Sequence, residues 1–385
     1  MRNLYLLLAV MLGGVASAST EENERFSITT LNVDGLPQKI LVVKVNADGP
    51  GDVGSARIGK YLMKKGNDLL FLQEDFNYHG VMVPFLEDDY KMDEWTGNVG
   101  LDGHSIDFLH LQNHRFPCDG LMAFWKNDLT VTPAERTAWK QNFGKFSHAM
   151  DEMVTKGFRR YEVTLRNGAR IVVYNMHMDA SDDYDTNIGN DMKDKEARMA
   201  QWMQLKENIL AQLDNRPVIV LGDLNSLYKR DDVKRQFIDA IGETGLATVS
   251  DVFIEMEKGG KYPEYEAGAQ VKNRELDILE GETLCKILYI NPVNGTSIRP
   301  VSYSMDKDGY QYDGKPLGDH YPLTAVFEVT SRTVGISAAL SVQGDNKEAV
   351  YDLSGRKVSK PRGGLYIERH GEKVEKHIVK KQILQ

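Results

Sequence analysis

The chain has 385 residues, a net charge of −9 and only two cysteines, Cys118 and Cys285. This length predicts one large domain accompanied by a smaller one. The acidic balance argues against a partner held mainly through its phosphate backbone, because such binding requires a surplus of lysine and arginine. Two cysteines exclude a disulfide scaffold and a zinc site built from cysteines, whereas a single bridge between them stays open.

The first 18 residues have the pattern of a secretory signal. A charged start precedes an apolar run from Leu4 to Val15, and small residues lead to Ala18, after which we expect cleavage. A buried first helix is disfavoured because charged and polar residues follow Ala18 immediately. No segment approaches about 20 uncharged apolar residues, so we predict no transmembrane segment. We therefore expect a bacterial protein, a monomer, that is secreted, periplasmic or held at the cell surface.

Short apolar runs typical of β-strands recur along the chain. They cover residues 26–32, 69–72, 120–125, 161–165, 171–174, 218–221, 287–290 and 323–329. The Asn-Gly signal in Arg166–Ala169 predicts a hairpin. Helical spacing of apolar residues predicts a long helix over residues 193–213 and a weaker one near residues 233–241. Strands interleaved with helices predict an α/β protein with a pair of mixed sheets covered by helices.

The composition changes after Val329. Residues 331–385 contain strand-like segments separated by glycine and aspartate, at residues 350–353, 364–368 and 373–379, which predict a small β module. The patterns at residues 350–358 and 363–367 resemble the C-terminal secretion and sorting modules of Bacteroidetes proteins. An ordinary β tail without an export role is the alternative. The expected organisation is a signal at residues 1–18, a main domain at 19–329 and this C-terminal module at 331–385.

Five polar clusters lie at the ends of predicted strands, where α/β proteins usually place their sites. They are Asn32 with Asp34, Gln73-Glu74-Asp75, Asn175-Met176-His177, Gly222-Asp223-Leu224-Asn225 and Gly318-Asp319-His320-Tyr321-Pro322. Alone, Glu74 is more often a solvated strand end, and His177 is more often a satisfied polar group. Together the clusters supply oxygen ligands that suit magnesium and two histidines that suit proton transfer near neutral pH. This combination predicts metal-assisted hydrolysis of a phosphodiester.

In chain order, these clusters resemble the motif series of the endonuclease/exonuclease/phosphatase superfamily. The matching positions are Asn32, Gln73-Glu74, Asn175-x-His177, Gly222-Asp223-x-Asn225 and Asp319-His320-x-Pro322. Each motif alone is weak, whereas five in the right order over residues 26–329 are specific. The resemblance implies a four-layer α/β/β/α sandwich of the DNase-like type. It also implies a Mg²⁺ cofactor, for which Mn²⁺ or Co²⁺ are substitutes.

The resemblance further implies a role for each residue of the site. Glu74 is expected to hold the metal with Asn32 and Asp319, His320 to act as general base, His177 to lie beside the phosphate, and Asp223 with Asn225 to position the transition state.

One position departs from the family pattern. The family usually has an aspartate that orients the base histidine at the head of the strand preceding the final motif. The best match for that strand is residues 284–290, which places Cys285 there. A thiol is a poor acceptor for an imidazolium. Asp277 is the alternative orienting residue, and the choice between the two stays open.

Three segments resemble bacterial sphingomyelinases and related secreted phospholipases C. They are residues 31–37, 119–124 and 177–180. The expected substrate is therefore sphingomyelin or a related phospholipid at a membrane surface. Trp125, Trp139, Phe143 and Phe146 are either a lipid-facing surface, since such residues suit the bilayer interface, or ordinary core. The core interpretation is favoured for Trp125, and the two are balanced for the others.

Three alternatives remain. A secreted nuclease similar to pancreatic DNase would use the same catalytic residues but needs a basic groove, so nucleic acid ranks behind phospholipid as partner. An inositol-phosphate phosphatase lacks support because no lysines and arginines cluster near the motifs. A non-catalytic surface binding protein is favoured by Cys285 and disfavoured by the retained histidines and carboxylates.

Overall fold

The structure, a computed structural model, describes most of the chain between residues 24 and 379. The described residues are 24–40, 43–97, 115–116, 118–145, 148–181, 188–269, 274–279, 281–330, 349–351, 358, 364–370 and 373–379. The predicted signal and Phe146 lie outside them. The chain divides into two compact units, Met1–Ser331 and Arg332–Gln385.

The larger unit contains two six-stranded mixed β-sheets. The first sheet has the spatial order Ser297–Met305, Leu323–Thr330, Arg25–Asn32, Leu69–Gln73, Met122–Lys126 and Tyr90–Met92. The second sheet has the order Ala247–Asp251, Cys285–Pro292, Val218–Asp223, Arg170–His177, Gly157–Thr164 and Thr130–Ala138. Each sheet has one central parallel pair, Arg25–Asn32 with Leu69–Gln73 and Arg170–His177 with Val218–Asp223. The other pairs in both sheets are antiparallel.

Helices and short hairpins complete the larger unit. The helices are Gly51–Lys65, His79–Met82, Ile188–Gln212, Ala240–Gly242 and Val252–Lys258, with 3-10 turns at Val83–Phe85 and His148–Met150 and a π-helical turn at Lys234–Asp239. The short strands are Lys39–Ile40, Val43–Lys44, Arg274–Glu275, Ile278–Leu279, Glu282–Thr283, Gln311–Tyr312 and Lys315–Pro316. Within the described part of the chain, no helix has the length and apolar character needed to cross a membrane.

Alternating side chains on the central strands create three apolar layers. Leu69 and Phe71 pack between the two sheets, together with Val173 and Ile219 of the second sheet. The intervening residues of the same strands face outward, because successive side chains of a strand point to opposite faces. The outward residues of the first sheet pack on the helix Gly51–Lys65, and those of the second sheet on the helix Ile188–Gln212. This is the expected four-layer α/β/β/α sandwich.

The smaller unit contains one three-stranded antiparallel sheet. Its strands are Ala349–Tyr351, Gly364–His370 and Lys373–Val379. Strands at these three places were predicted from the sequence. The role of the unit in export stays a prediction.

Every strand predicted for the main domain is present, with ends that differ by a few residues, and so are the hairpin and the long helix. Four strands of the two six-stranded sheets were not predicted. They are Tyr90–Met92, Thr130–Ala138, Ala247–Asp251 and Ser297–Met305. Two of these contain a proline and a shift in strand register, at Pro133 and Pro300. Proline and bulges are typical of edge strands, and they interrupt the alternation on which the prediction depends.

The helix Gly51–Lys65 was also missed, because its three glycines obscure the helical pattern. Gly59 is needed for packing, since a Cβ atom there would lie 2.8 Å from the carbonyl oxygen of Met82. The predicted second helix near residues 233–241 is present, as the π-helical segment Lys234–Asp239 followed by the helical turn Ala240–Gly242.

Two of the four aromatic residues considered as a lipid-facing surface, Trp125 and Trp139, belong to the core. Trp125 lies between the two sheets, and Trp139 packs in the layer under the long helix, where its Nε1 donates to the carbonyl oxygen of His177 at 2.6 Å. The core interpretation is therefore confirmed for Trp125, and a lipid-facing role is wrong for both tryptophans. Phe143 is half-buried. Cys118 and Cys285 are buried free thiols, so no bridge joins them.

Gly222 provides a test of how closely the two strands of the second parallel pair must approach. Its φ of 139° is unfavourable for other residues, and a Cβ atom there would lie 2.0 Å from the carbonyl oxygen of Met176. We expect Gly222→Ala to lower the free energy of unfolding by about 2 kcal/mol or more, since the strand must shift to relieve the overlap. Chemical denaturation measures this change.

The matched control is Gly242→Ala, because Gly242 is an exposed helical residue with open space at the Cβ position. This variant should be as stable as the native chain or more stable by up to about 1 kcal/mol. Equal stabilities for the two variants would contradict the packing described for Gly222.

Candidate active site

The two parallel strand pairs bring the predicted site residues together. In the first sheet Asn32 ends one strand beside Gln73 of the next, and Glu74 follows directly. In the second sheet Asp223 is paired with His177 on one side and with Cys285 on the other. Because the carboxyl ends of parallel strands meet at one edge, each sheet contributes a row of polar side chains.

Amide side chains join these two rows. The Asn32 Nδ2 atom donates to Glu74 Oε1 at 2.8 Å and to Asp223 Oδ2 of the second sheet at 3.0 Å. Deeper in the molecule, Gln73 Nε2 donates to Asn175 Oδ1 at 2.7 Å, and Asn175 Nδ2 donates to two backbone carbonyl groups of the first sheet. All these amides are buried, so their hydrogen bonds fix the distance between the sheets at the site.

Asp223 is the centre of the arrangement. Its Oδ2 atom lies 3.6 Å from His177 Nε2 and 3.5 Å from His320 Nε2, and its Oδ1 accepts the Asn225 N–H at 3.1 Å. Burial raises the pKa of the Asp223 carboxyl, but the two histidines and the Asn32 bond outweigh burial and hold that pKa below its usual range. Asp223 is therefore a buried anion that contacts both histidines.

The two histidines differ in protonation. Burial and the nearby Lys156 hold the pKa of His177 well below its usual range, so that His177 is neutral. Burial also acts to lower the pKa of His320, but the carboxylates of Asp319 and Asp223 outweigh it and hold that pKa well above its usual range. Neither ring nitrogen of His177 has a hydrogen-bond partner among the described residues.

Two site residues just beyond strand ends, Glu74 and Asn225, have left-handed backbone conformations. The φ angle is 56° for Glu74 and 46° for Asn225, values that residues other than glycine seldom adopt. Such strained conformations cluster at functional sites, where the surrounding structure enforces them. They turn the chain sharply at the strand end, and at Asn225 the amide Nδ2 then donates to the Met178 carbonyl at 3.0 Å.

Two carboxyl groups near the strand ends, those of Glu74 and Asp34, have raised pKa values. Burial, followed by repulsion from Asp319, raises the pKa of Glu74 to about 7 despite the opposing effects of Lys156 and Asn32. Burial and the charges of Asp319 and Glu74 raise the pKa of Asp34 to about 8. Several acidic groups at this edge therefore repel one another when they are ionised. A bound cation relieves this repulsion.

Both candidates for the orienting position contact the other edge of the His320 ring. The Cys285 Sγ atom lies 3.3 Å from His320 Nδ1, and Asp277 Oδ2 lies 3.7 Å from the same nitrogen. Burial raises the pKa of the Cys285 thiol to about 12, so the thiol is uncharged at neutral pH. Asp277 is fixed by the Tyr321 N–H, which donates to its Oδ1 at 3.2 Å, while its Oδ2 has no hydrogen-bond partner in the described structure.

A buried lysine behind the site was not anticipated from the sequence. Lys156 forms an ion pair with the buried Asp151, and its Nζ donates to the Met178 carbonyl at 3.4 Å, the same oxygen that accepts from Asn225. The Lys156 charge also acts on the pKa of both Glu74 and His177. Lys156 directly precedes the strand Gly157–Thr164, and it belongs to none of the five polar clusters, so the strand-end criterion could not select it.

The described residues also contain ligand sets for a divalent cation. The ligand atoms of Glu74, His177 and Asp223 all lie within 4.8 Å of one another. Two carboxylates and an unpartnered, buried imidazole form a set that suits a divalent metal, since oxygen ligands fit Mg²⁺ and an imidazole also fits Mn²⁺ or Co²⁺. Asn32 contacts Glu74 at the edge of this set.

Asp319 lies on the other side of the site. Its side chain is 52% exposed, and its Oδ1 is 3.8 Å from His320 Nε2. It belongs to neither of the two sets of ligand atoms among the described residues. Its predicted role as a metal ligand stays a prediction, as do the roles of the other site residues.

Comparison with known proteins bears on the fold. No family model matches the sequence, and no curated protein matches it significantly. An endonuclease/exonuclease/phosphatase family protein from Bacteroides thetaiotaomicron is similar in structure, with 14% identity, a TM-score of 0.50 and coverage of 80% of this chain and 98% of that chain. A protein from Bacteroides vulgatus described in the same terms has 12% identity, a TM-score of 0.50 and coverage of 80% and 100%.

The human Nocturnin catalytic domain with a bound sulfate anion has 16% identity, a TM-score of 0.49 and coverage of 80% and 95%. The two Bacteroides structures show that the larger unit has the DNase-like α/β fold of endonuclease/exonuclease/phosphatase proteins. This fold class was predicted from the sequence.

The raised pKa of Glu74 predicts how cation binding depends on pH. Because the folded pKa of about 7 exceeds the ordinary value of 4.5, the metal-free folded chain binds more protons than the unfolded chain between these values. Glu74 therefore makes the metal-free fold less stable as pH rises through this window. A cation needs the ionised carboxylate, so the thermal stabilisation by Mg²⁺ should be larger at about pH 8 than at about pH 6.

Differential scanning fluorimetry with and without Mg²⁺ measures this difference. Glu74→Gln should abolish most of the stabilisation, whereas Glu207→Gln, on the exposed face of the long helix, should leave it unchanged. Stabilisation that is equal at both pH values, or equal in the two variants, would contradict the assignment of Glu74 as a cation ligand.

Proposed function

We propose that the chain is a divalent-metal-dependent phosphodiesterase that hydrolyses sphingomyelin or a related phospholipid. One observation carries the proposal: Asp223 Oδ2 lies between the Nε2 atoms of two buried histidines, at 3.6 and 3.5 Å, while Asn32 joins the same oxygen to Glu74. This places a candidate base, candidate phosphate-binding groups and a candidate cation ligand around one point. Phosphodiester hydrolysis needs all three.

His320 is the proposed general base. Its Nε2 faces Asp223 and Asp319, which hold the ring protonated in the metal-free chain. A cation that neutralises the acidic groups of the site would lower the pKa of His320, so that the ring can accept a proton from water. On the other edge of the ring, Asp277 offers the carboxylate that holds Nδ1, a role that an uncharged thiol at Cys285 fills poorly. We therefore assign the orienting role to Asp277 rather than to Cys285.

The remaining site residues bind and orient the phosphate. The neutral His177 donates or accepts a hydrogen bond without adding charge, and we assign the orienting of the phosphate also to the Asn225 amide, which donates to the Met178 carbonyl. Lys156 supports Asn225, because both side chains donate to the Met178 carbonyl, and it supports His177 through its buried charge. A cation held by Glu74, with His177, Asp223 and Asn32 as further candidate ligands, supplies polarisation of the phosphoryl oxygens and neutralisation of the acidic groups around His320.

The charge of the site favours a lipid over a nucleic acid. Asp34, Glu74, Asp223 and Asp319 surround the proposed reaction centre, and the positive charge of Lys156 is paired with Asp151. The whole chain carries a net charge of −9. An acidic chain repels a polyanion more than it repels a zwitterionic head group with a cationic end. The motif resemblance to sphingomyelinases then supports a choline phospholipid.

The proposed enzyme acts outside the cytoplasm. This part of the proposal depends on the signal pattern of residues 1–18 and on the sorting-module pattern in residues 331–385. We propose a secreted, periplasmic or surface-held bacterial monomer whose chemistry resides in residues 19–329, because every site residue lies there.

Hydrolysis of a panel of phosphodiesters tests this function. The mature chain with Mg²⁺ is incubated with sphingomyelin vesicles, phosphatidylcholine vesicles and duplex DNA, and released phosphocholine and strand breaks are measured. We expect phosphocholine release that EDTA abolishes. His320→Gln should lower the rate about 10²-fold or more, as expected for loss of a general base.

His79→Gln is the matched control, because His79 is a partly buried histidine that pairs with Asp75 and stacks on Trp95 outside the catalytic set. It should retain most of the activity. Cleavage of DNA without cleavage of either lipid would replace the proposal with a nuclease. A folded chain that binds Mg²⁺ yet cleaves none of the three would instead favour a binding protein.

A further inference from the structure

The Tyr310 side chain carries an unpartnered polar group beside the proposed active site. Tyr310 is fully buried, and its hydroxyl has no hydrogen-bond partner among the described residues. Its ring packs in the apolar layer that also holds Leu62 of the helix Gly51–Lys65, and it lies 5.1 Å from the Tyr61 ring. Packing therefore accounts for the ring but not for the hydroxyl, and a buried hydroxyl without a partner costs free energy unless something binds to it.

The absence of a side chain at Gly318 leaves room next to this hydroxyl. A Cβ atom built on Gly318 would lie 3.3 Å from the Tyr310 hydroxyl oxygen, 3.5 Å from Asp34 Cβ and 4.0 Å from Asp34 Oδ2. Gly318 is half-buried and Asp34 is 8% exposed, so solvent reaches both residues. We call the space between Gly318, Tyr310 and Asp34 the Gly318 cradle. It borders the proposed base, because Gly318 directly precedes Asp319 and His320.

Asp34 supplies the second polar group of the cradle. Its backbone is left-handed, with a φ of 52°, and its N–H donates to Asn32 Oδ1 at 2.9 Å. Its Oδ1 atom accepts a hydrogen bond from Asn46 Nδ2. These contacts hold the carboxyl in place, and its Oδ2 accepts no hydrogen bond from the described residues, so that Oδ2 is available to a ligand in the cradle.

This pair of groups suits a ligand that both accepts and donates a hydrogen bond. An alcohol hydroxyl does so, because its oxygen accepts from the Tyr310 hydroxyl while its O–H donates to Asp34 Oδ2. A phosphoryl oxygen would accept from Tyr310 but would be repelled by an ionised Asp34. A quaternary ammonium group has no N–H and makes neither bond.

We propose that the Gly318 cradle binds a hydroxyl group in the alcohol half of the phosphodiester substrate and thereby selects a sphingolipid over a diacylglycerolipid. Sphingomyelin has a hydroxyl two carbons from the carbon that bears the phosphate. Phosphatidylcholine has ester oxygens in the corresponding region, which accept hydrogen bonds but do not donate them. The inference rests on the proposed function, because it names the substrate class of the same site.

Kinetics with two lipids that differ only in this hydroxyl test the cradle. Sphingomyelin and its 3-deoxy analogue are presented in the same mixed micelles with Mg²⁺, and kcat/KM is measured for each. We expect the native chain to prefer sphingomyelin at least about tenfold, because a site that hydrogen-bonds a substrate hydroxyl rejects an analogue that lacks it. Tyr310→Phe removes the donor and Gly318→Ala fills the cradle, so each should reduce this preference at least about threefold.

Tyr61→Phe is the matched control. The Tyr61 ring contacts the Tyr310 ring edge-on, but its hydroxyl donates to Asp306 Oδ2 at 2.8 Å, outside the cradle. This variant should keep the native preference. Because the Tyr310 hydroxyl has no partner among the described residues, Tyr310→Phe should fold as stably as the native chain.

Three results would overturn the cradle. They are a native chain without preference between the two lipids, a Tyr310→Phe variant that loses rate equally on both, and a Tyr61→Phe variant that loses the preference as Tyr310→Phe does. The second result would assign the hydroxyl to the chemical step or to the fold rather than to recognition.

Calorimetry in EDTA separates the cradle from the proposed function, because it measures binding without hydrolysis. Sphingosylphosphocholine should bind the native chain at least about fivefold more tightly than its 3-deoxy analogue, and Tyr310→Phe should remove the difference. A chain that hydrolyses neither lipid but shows this difference would refute the proposed function and retain the cradle. A chain that hydrolyses neither lipid and binds the two analogues equally, or binds neither, would refute both.

Discussion

The structure depends on one buried carboxylate, that of Asp223, which two histidines and an asparagine share. Moving a carboxylate out of water costs several kcal/mol unless partners compensate for the lost solvation. Asp223 obtains them from His320 and His177 at 3.5 and 3.6 Å and from Asn32 at 3.0 Å. Since Asn32 belongs to the first sheet and Asp223 to the second, this compensation holds the sheets in register at the site. Asp223 acts to raise the pKa of both histidines, but burial and Lys156 keep His177 neutral, whereas His320 is cationic.

The fold explains why these residues meet. Two sheets packed face to face each have one parallel strand pair, and the carboxyl ends of both pairs reach the same edge of the molecule. Alternation along the strands places apolar side chains on both faces, and most of the polar residues of the site lie at or near the strand ends. Gly222 allows two strand backbones to approach closely, and Glu74 has a left-handed backbone conformation. These two residues fix the path of the chain at one strand end in each sheet. Packing therefore determines the geometry of the polar groups.

Much of this could be predicted from the sequence, because buried strands and polar strand ends leave local patterns. The central strands and the clusters around Glu74 and Asp223 were found in this way. Edge strands such as Thr130–Ala138 were missed because solvent exposure and Pro133 erase the alternation. Lys156 was missed because its partners, Asp151 and the Met178 carbonyl, are brought to it only by tertiary packing. For the same reason the sequence left open the choice of residue that orients His320.

The central claim, that Asp223 and the other acidic neighbours hold His320 cationic while burial and Lys156 keep His177 neutral, is tested most directly by NMR of the imidazole nitrogens. Spectra of the metal-free chain near neutral pH, assigned with His320→Gln and His177→Gln, report the charge of each ring. The account predicts an imidazolium at His320 and a neutral ring at His177, and it predicts that Asp223→Asn shifts the titration of His320 to lower pH. Two histidines that both titrate near the ordinary value of about 6.5, with no effect of Asp223→Asn, would contradict it.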